Sequence, residues 1–156
     1  MIENLKIAKV LDIADFMNME DETREKFVSL PEDKMMKLAS VCNRYPNLEL
    51  VIEGQEDGEI TLTARRDIDE ADFETKEEYL EELKTFTAPV NAPYYPNRKE
   101  ENWWLVIGAA NKILGIKKIT TLNKKPAVTV SMGWERGAKA YLICDSYMGC
   151  DLEKKL

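Results

Sequence analysis

Residues 103–107, Trp103-Trp104-Leu105-Val106-Ile107, constrain the fold more than any other stretch. Five consecutive aromatic and branched side chains, closed by Gly108, predict a strand buried on both faces. Its alternation sends Trp104 and Val106 one way and Trp103, Leu105 and Ile107 the other. Each indole commits about 150–250 Å² of aromatic surface, so truncating either to alanine removes a large part of any core. Just upstream, Pro93-Tyr94-Tyr95-Pro96 forms a stiff aromatic loop, because both prolines restrict their own φ and the residue before them. That loop holds two tyrosines on an open strip, followed by Arg98 and Lys99.

The strand needs partners, and the sequence supplies them on both sides. Leu48, Leu50 and Ile52 alternate with Glu49, Val51 and Glu53. Gly54 to Gly58 reads as a turn, and Ile60, Leu62 and Ala64 alternate with threonines, which predicts a hairpin. After Gly108 to Lys112, a second turn, come Ile113 to Ile116 and Lys117 to Thr120 as two strand pieces. Pro126 to Met132 alternates, Gly133 to Gly137 turns the chain, and Lys139 to Cys144 returns. Short strands at close intervals around a central tryptophan describe an immunoglobulin-like or fibronectin-like antiparallel β-sandwich. Three cysteines (Cys42, Cys144, Cys150) with no CxxC pair read as reduced thiols, so this core holds without a disulfide.

The first 46 residues have a different period. Leu5, Ala8, Val10, Leu11, Ala14, Phe16 and Met17 share a broad helical stripe over 3–17. Acidic residues 20–22 open a second helix carrying Phe27, Val28 and Leu30, which stops at Pro31. A third helix runs from Pro31 through Met35, Met36, Leu38 and Val41 to Cys42. The fold class is therefore α+β, with a helical element at 1–46 and the sandwich at 47–156. An acidic insertion at 67–86 interrupts the sandwich. Within it, Thr75 and Glu78 have capping-box spacing ahead of Tyr79, Leu80 and Leu83, the pattern of a short surface helix, while the acidic composition equally suits a solvated, partly disordered loop.

Charge and missing residue types limit the chemistry. Residues 1–90 carry 23 acidic and 11 basic side chains (net −12), whereas residues 91–156 carry 6 and 11 (net +5). Only the second half suits a phosphate backbone, through Lys117, Lys118, Lys124 and Lys125 as candidate RNA contacts. There is no histidine, so neither a Ser-His-Asp nor a Cys-His arrangement can be built. No phosphate-cradling GxxxxGK[ST] or GxGxxG loop occurs. The expectation is a chain with no catalytic residues, no metal, no cofactor and no membrane segment.

Four stretches in register carry a family resemblance. They are Cys42-Asn-Arg-Tyr-Pro-Asn-Leu-Glu-Leu50, Pro93-Tyr-Tyr-Pro with Glu101-Asn-Trp-Trp-Leu-Val-Ile-Gly108, Ile116-Lys-Lys-Ile-Thr120 and Asp145-Ser-Tyr-Met-Gly-Cys-Asp151. Over about residues 10–155 the chain resembles the end of a Sec-63 homology unit. The version it resembles is the one closing the large spliceosomal RNA helicases of the U5 small nuclear ribonucleoprotein. The resemblance implies a helix-loop-helix element followed by a fibronectin-like sandwich, with helicase cassettes upstream carrying ATP hydrolysis and strand separation. It implies a catalytically quiet scaffold in the nucleus, docking spliceosomal or other ribonucleoprotein proteins and the parent's own cassettes, with RNA secondary. The same unit occurs in the endoplasmic-reticulum translocation factor as a cytosolic interaction domain. The Cys42–Leu50 stretch and Cys150 favour the helicase relative.

Tyr94, Tyr95, Arg98 and Lys99 are the candidate partner-binding residues, and Trp103, Trp104, Val106, Tyr147 and Cys150 the candidate structural core. Gly149 reads as a turn glycine with positive φ. Three departures from the family pattern stand out: the long acidic insertion, a short turn at 108–112, and a last strand reduced to Leu152–Leu156, which leaves a short or open sheet edge.

Overall fold

In the computed structural model, residues 10, 12–28, 30–42, 45–67, 74–85, 90, 92, 94–122 and 125–156 are described. They divide into two units, Met1–Tyr45 with Tyr147–Gly149, and Pro46–Ser146 with Cys150–Leu156. Among its described residues the second unit contains seven strands: β1 (Leu48–Glu56), β2 (Glu59–Arg66), β3 (Trp103–Ala109), β4 (Lys112–Ile119), β5 (Ala127–Gly133), β6 (Lys139–Cys144) and β7 (Leu152–Lys155). They form two antiparallel sheets, ordered β1-β2-β5 and β4-β3-β6-β7. The fold is α+β, with a seven-stranded antiparallel body.

Alternation decides which residues make the core. Leu48, Leu50, Ile60, Leu62, Ala64 and Val130 are buried from the three-stranded sheet, and Trp103, Leu105, Ile107, Ile119, Ala140 and Leu142 from the other. The faces turned away differ in kind. On the three-stranded sheet, Thr61 bonds Ser131 at 2.9 Å, Thr63 bonds Thr129 at 2.8 Å, and Arg65 bonds Glu49 at 2.7 Å. On the four-stranded sheet the corresponding positions are largely apolar. Here the structure corrects the reading of β3 as buried on both faces. Trp103, Leu105 and Ile107 are buried, whereas Trp104 and Val106 are only half-buried. Trp104 tolerates that position because the Lys118 ammonium lies 5.4 Å from its ring centroid.

Turn chemistry tightens the connections relative to the sequence reading. β1 continues through Glu56, and the chain reverses over Asp57-Gly58, with Gly58 at φ +84°. Asp-Gly suits a two-residue hairpin turn, while Gly54 sits at a bulge in β1 rather than in the turn. Similarly, β3 turns into β4 over Ala110-Asn111, with Ala110 at φ +49°. Ile113–Ile116 and Lys117–Ile119 are one strand, and the seventh strand is β7, paired with β6 from Leu152 to Lys155.

One polar cluster lies inside this body. Arg66, the last residue of β2, forms an ion pair with Glu101, just ahead of β3; their side chains are 5% and 0% exposed. The same Glu101 oxygen accepts from Trp103 Nε1 at 2.6 Å, and Arg66 Nε donates to the Leu122 carbonyl at 2.9 Å. One carboxylate thus ties an arginine of one sheet to the central tryptophan of the other.

In the acidic insertion, α4 (Lys76–Thr85) follows the three helices seen among the described residues of the first unit, and Thr75 Oγ1 accepts from Glu78 N at 3.2 Å, the capping expected from sequence. Residues 68–73 and 86–89 of the insertion lie outside the described residues. The first unit holds α1 (Ile13–Met17), α2 (Asp21–Phe27) and α3 (Glu32–Cys42). Instead of one helix over 3–17, α1 starts after Asp12, whose extended backbone and carboxylate cap Asp15 N at 2.9 Å. Capping chemistry wins over the longer stripe there, and Leu5, Ala8 and Leu11 lie outside the described residues. Arg24 closes the turn between α1 and α2 by donating to the Met17 and Met19 carbonyls, and its guanidinium lies 5.7 Å from the Phe16 ring centroid. Tyr45 packs edge-on to Tyr147 (5.6 Å, 72°) and donates to the Met148 carbonyl at 2.6 Å. Gly149 has φ +84°, and a Cβ there would come within 2.6 Å of an Asp12 carboxylate oxygen.

Two outcomes follow for equilibrium unfolding in urea. Trp103→Ala should cost about 3–5 kcal/mol, and Trp104→Ala clearly less, because only the first leaves a closed cavity. Glu101→Gln should cost about 3–5 kcal/mol by taking a carboxylate charge away from the buried Arg66 guanidinium, whereas Glu49→Gln at the exposed pair should cost under about 1 kcal/mol.

Candidate functional site

The aromatic loop ahead of β3 is held by hydrogen bonds and one cation. Tyr95 N donates to the Ala92 carbonyl at 3.0 Å, and Val90 N to the Lys99 carbonyl at 3.3 Å. Lys99 Nζ lies 6.0 Å from the Tyr95 ring centroid and 3.4 Å from an Asp145 carboxylate oxygen at the end of β6. Asn102 completes the anchor: its backbone N–H donates to Asp145 at 3.1 Å, and its carbonyl accepts from Asp145 N at 3.0 Å. Ser146 Oγ donates to the same carboxylate at 2.6 Å. With its base fixed, the loop turns Tyr94 fully outward (100% exposed) and Tyr95 about halfway (53%).

Burial alone pushes the Asp145 carboxyl up, but the Ser146 hydroxyl, the Asn102 N–H and Lys99 outweigh it and hold the group below the usual carboxylate range. A carboxyl depressed in the folded state stabilises fully above its unfolded value, about pH 4, and loses that contribution as the pH falls through the lower folded value.

The predicted site residues fall into separate places. Tyr95 and Lys99 come together, Arg98 is exposed, and Pro93 lies outside the described residues. Lys117 and Lys118 are exposed on β4, Lys125 is exposed ahead of β5, and Lys124 lies outside the described residues. Trp103 and Cys150 are buried, and Trp104, Val106 and Tyr147 half-buried, Tyr147 belonging to the helical unit with Tyr45. Sequence reasoning missed Asp145, Asn102, Glu101 and Arg66. In sequence, Glu100-Glu101-Asn102 is an ordinary charged run, and nothing in its spacing marks Glu101 as buried.

No group of three or more metal-ligating side chains occurs among the described residues, and no described helix is long and apolar enough to cross a membrane. A shallow cleft of about 370 Å³ lies at one end of the sandwich, walled by Asp57, Trp134, Arg136 and Leu156. Trp134 there is fixed by donating its indole N–H to the Glu56 carbonyl at 2.8 Å.

Comparison with known proteins places these features in a family. The family model of the Sec63 Brl domain matches residues 5–156. The chain belongs to the Sec63 Brl domain family. It is 37% identical over 151 residues to a DExH-box ATP-dependent RNA helicase, DExH13, of Arabidopsis thaliana, covering 90% of this chain and 6% of the relative. Against the U5 small nuclear ribonucleoprotein 200 kDa helicase of Homo sapiens it is 35% identical over 157 residues, 94% of this chain and 7% of the relative. Against the pre-mRNA-splicing factor brr2 of Schizosaccharomyces pombe it is 33% identical over 159 residues, again 7% of the relative. This Sec63 Brl domain thus spans a small fraction of the length of the RNA helicases and splicing proteins it resembles.

The Asp145 anchor gives a signed pH test. Asp145→Asn should lower the unfolding free energy by about 1 kcal/mol at pH 7, and the gap to the unsubstituted chain should narrow at pH 3. Denaturant melts of both proteins at the two pH values measure it.

Proposed function

We propose that this chain is a non-catalytic protein-interaction module of a spliceosomal ATP-dependent RNA helicase, acting in the nucleus. The reading is supported by its similarity to splicing helicases over nearly its whole length. The observation that carries it is the aromatic loop. Tyr94 stands fully exposed on a segment whose base is tied down through Lys99, Asn102 and Asp145. Exposed tyrosines on a prefixed backbone give contact area at small ordering cost, the property that makes such residues frequent anchors of protein interfaces. In this reading the seven-stranded body is a fibronectin- or immunoglobulin-like sandwich. The division into sheets of three and four strands, with a buried tryptophan on the third strand, supports that assignment. Helicase cassettes elsewhere in the parent carry ATP hydrolysis, and this module needs no cofactor. Its partners are ribonucleoprotein proteins and the parent's own cassettes.

Affinity capture from nuclear extract, read by mass spectrometry, tests the proposal. The 1–156 chain should retain splicing proteins. The double variant Tyr94→Ala/Tyr95→Ala should lose them at least about tenfold, a change of about 1.4 kcal/mol, while melting at the same temperature. Equal retention by both chains, or ATP hydrolysis by the isolated chain, would refute it.

A further inference from the structure

We propose that the outward face of the four-stranded sheet is a second docking surface, and that its occupant is an acidic amphipathic helix of a partner protein. This goes beyond the loop reading and uses none of the loop's residues. Register places Ile116, Val106 and Tyr141 in one row across β4, β3 and β6, and Lys118, Trp104 and Ile143 in the next. Ile113 lies opposite Gly108 at the far end. Ile113, Ile116 and Ile143 are 68%, 57% and 38% exposed, and Trp104, Val106 and Tyr141 are half-buried. The other sheet of the same body carries threonine and serine pairs at the corresponding positions, with Thr63 buried among them, so an apolar outer face is not a general property of this fold. Contiguous exposed apolar rows of this kind mark interaction sites.

Size and charge select the occupant. Two interstrand gaps make the stripe about 10 Å wide, which matches the diameter of one α-helix. From Trp104 to Gly108 it runs about 14 Å, the rise of roughly nine helical residues. Lys118 and Lys155 project from the same face, and both are exposed. Among the described outward positions the carboxylate is Glu153, which bonds Lys139 at 2.6 Å. The uncompensated charge is therefore positive, and a helix with acidic flanks beside an apolar stripe complements it. A second copy of this chain would oppose lysines to lysines. An RNA would lay phosphates over isoleucine and valine, and its bases would meet few polar groups to read.

The test uses the 1–156 chain with isotope-labelled isoleucine methyls. The probe is a synthetic peptide of about 15 residues with leucine at i, i+3, i+4 and i+7, glutamate at the positions flanking that stripe and alanine elsewhere, a composition that favours the helix. Controls are the same peptide with lysine for glutamate, and oligouridine. The methyls of Ile113, Ile116 and Ile143 should shift saturably with the acidic peptide, while those of buried Ile60 and Ile107 stay. Ile116→Glu should weaken binding at least tenfold and keep the folded spectrum, since its side chain projects into solvent. Tyr94→Ala/Tyr95→Ala should bind the peptide as the unsubstituted chain does, which separates this face from the loop. Absence of shifts, equal binding of the lysine peptide, or oligouridine binding at the same methyls would overturn the proposal. So would a concentration-dependent dimer abolished by Ile116→Glu, which would assign the face to a second copy.

Discussion

Arg66 and Glu101 form the polar joint on which the two sheets depend. The ion pair is almost completely excluded from water, and one Glu101 oxygen serves both the guanidinium and the Trp103 indole. A buried pair of this kind stabilises little against a well-packed apolar replacement, but it is costly to break from one side. Its contribution is therefore geometric. It fixes where the chain enters β3 relative to the end of β2, and the Leu122 carbonyl extends the same joint to the segment leading into β5. Trp103, bonded to the same carboxylate, opens β3 with its indole held at the joint, and alternation sets the sides of the residues that follow.

That last step explains what the sequence revealed and what it withheld. The alternation of Leu48 to Ile52 and Ile60 to Ala64, the capping spacing of Thr75 and Glu78, and the positive φ of Gly149 are local features, and local chemistry dictates them. The Trp103–Ile107 run was legible as a strand. Its half-open outer side was not, because five apolar residues in a row carry no sign of which face has cover. Asp12 broke a continuous helical stripe by preferring to cap, and Asp57-Gly58 took the reversal that Gly54 to Gly58 had suggested more broadly. The tethering partners of the aromatic loop were out of reach for another reason. Lys99 and Asp145 are 46 positions apart, and only the β3–β6 pairing brings their neighbours together.

The sandwich turns two unlike surfaces to its surroundings. Hydroxyl pairs and an ion pair line the back of the three-stranded sheet, where Arg65 is exposed, Thr61 half-buried and Thr63 buried. Isoleucines, a valine and aromatic rings line the back of the other, with lysines on its flanks. The chain covers only 6–7% of the helicases and splicing proteins it resembles. An aromatic loop and an apolar sheet face on one small body allow contacts on more than one side.

Tyr147–Gly149, although they lie between β6 and β7, belong to the helical unit. Tyr147 supplies a ring for Tyr45, the Met148 carbonyl receives the Tyr45 hydroxyl, and Gly149 leaves room for Asp12. No single scission of the polypeptide can therefore release either unit whole. A shortened chain starting at Pro46 would keep the seven described strands yet leave Tyr147, Met148 and Gly149 without Tyr45 and Asp12.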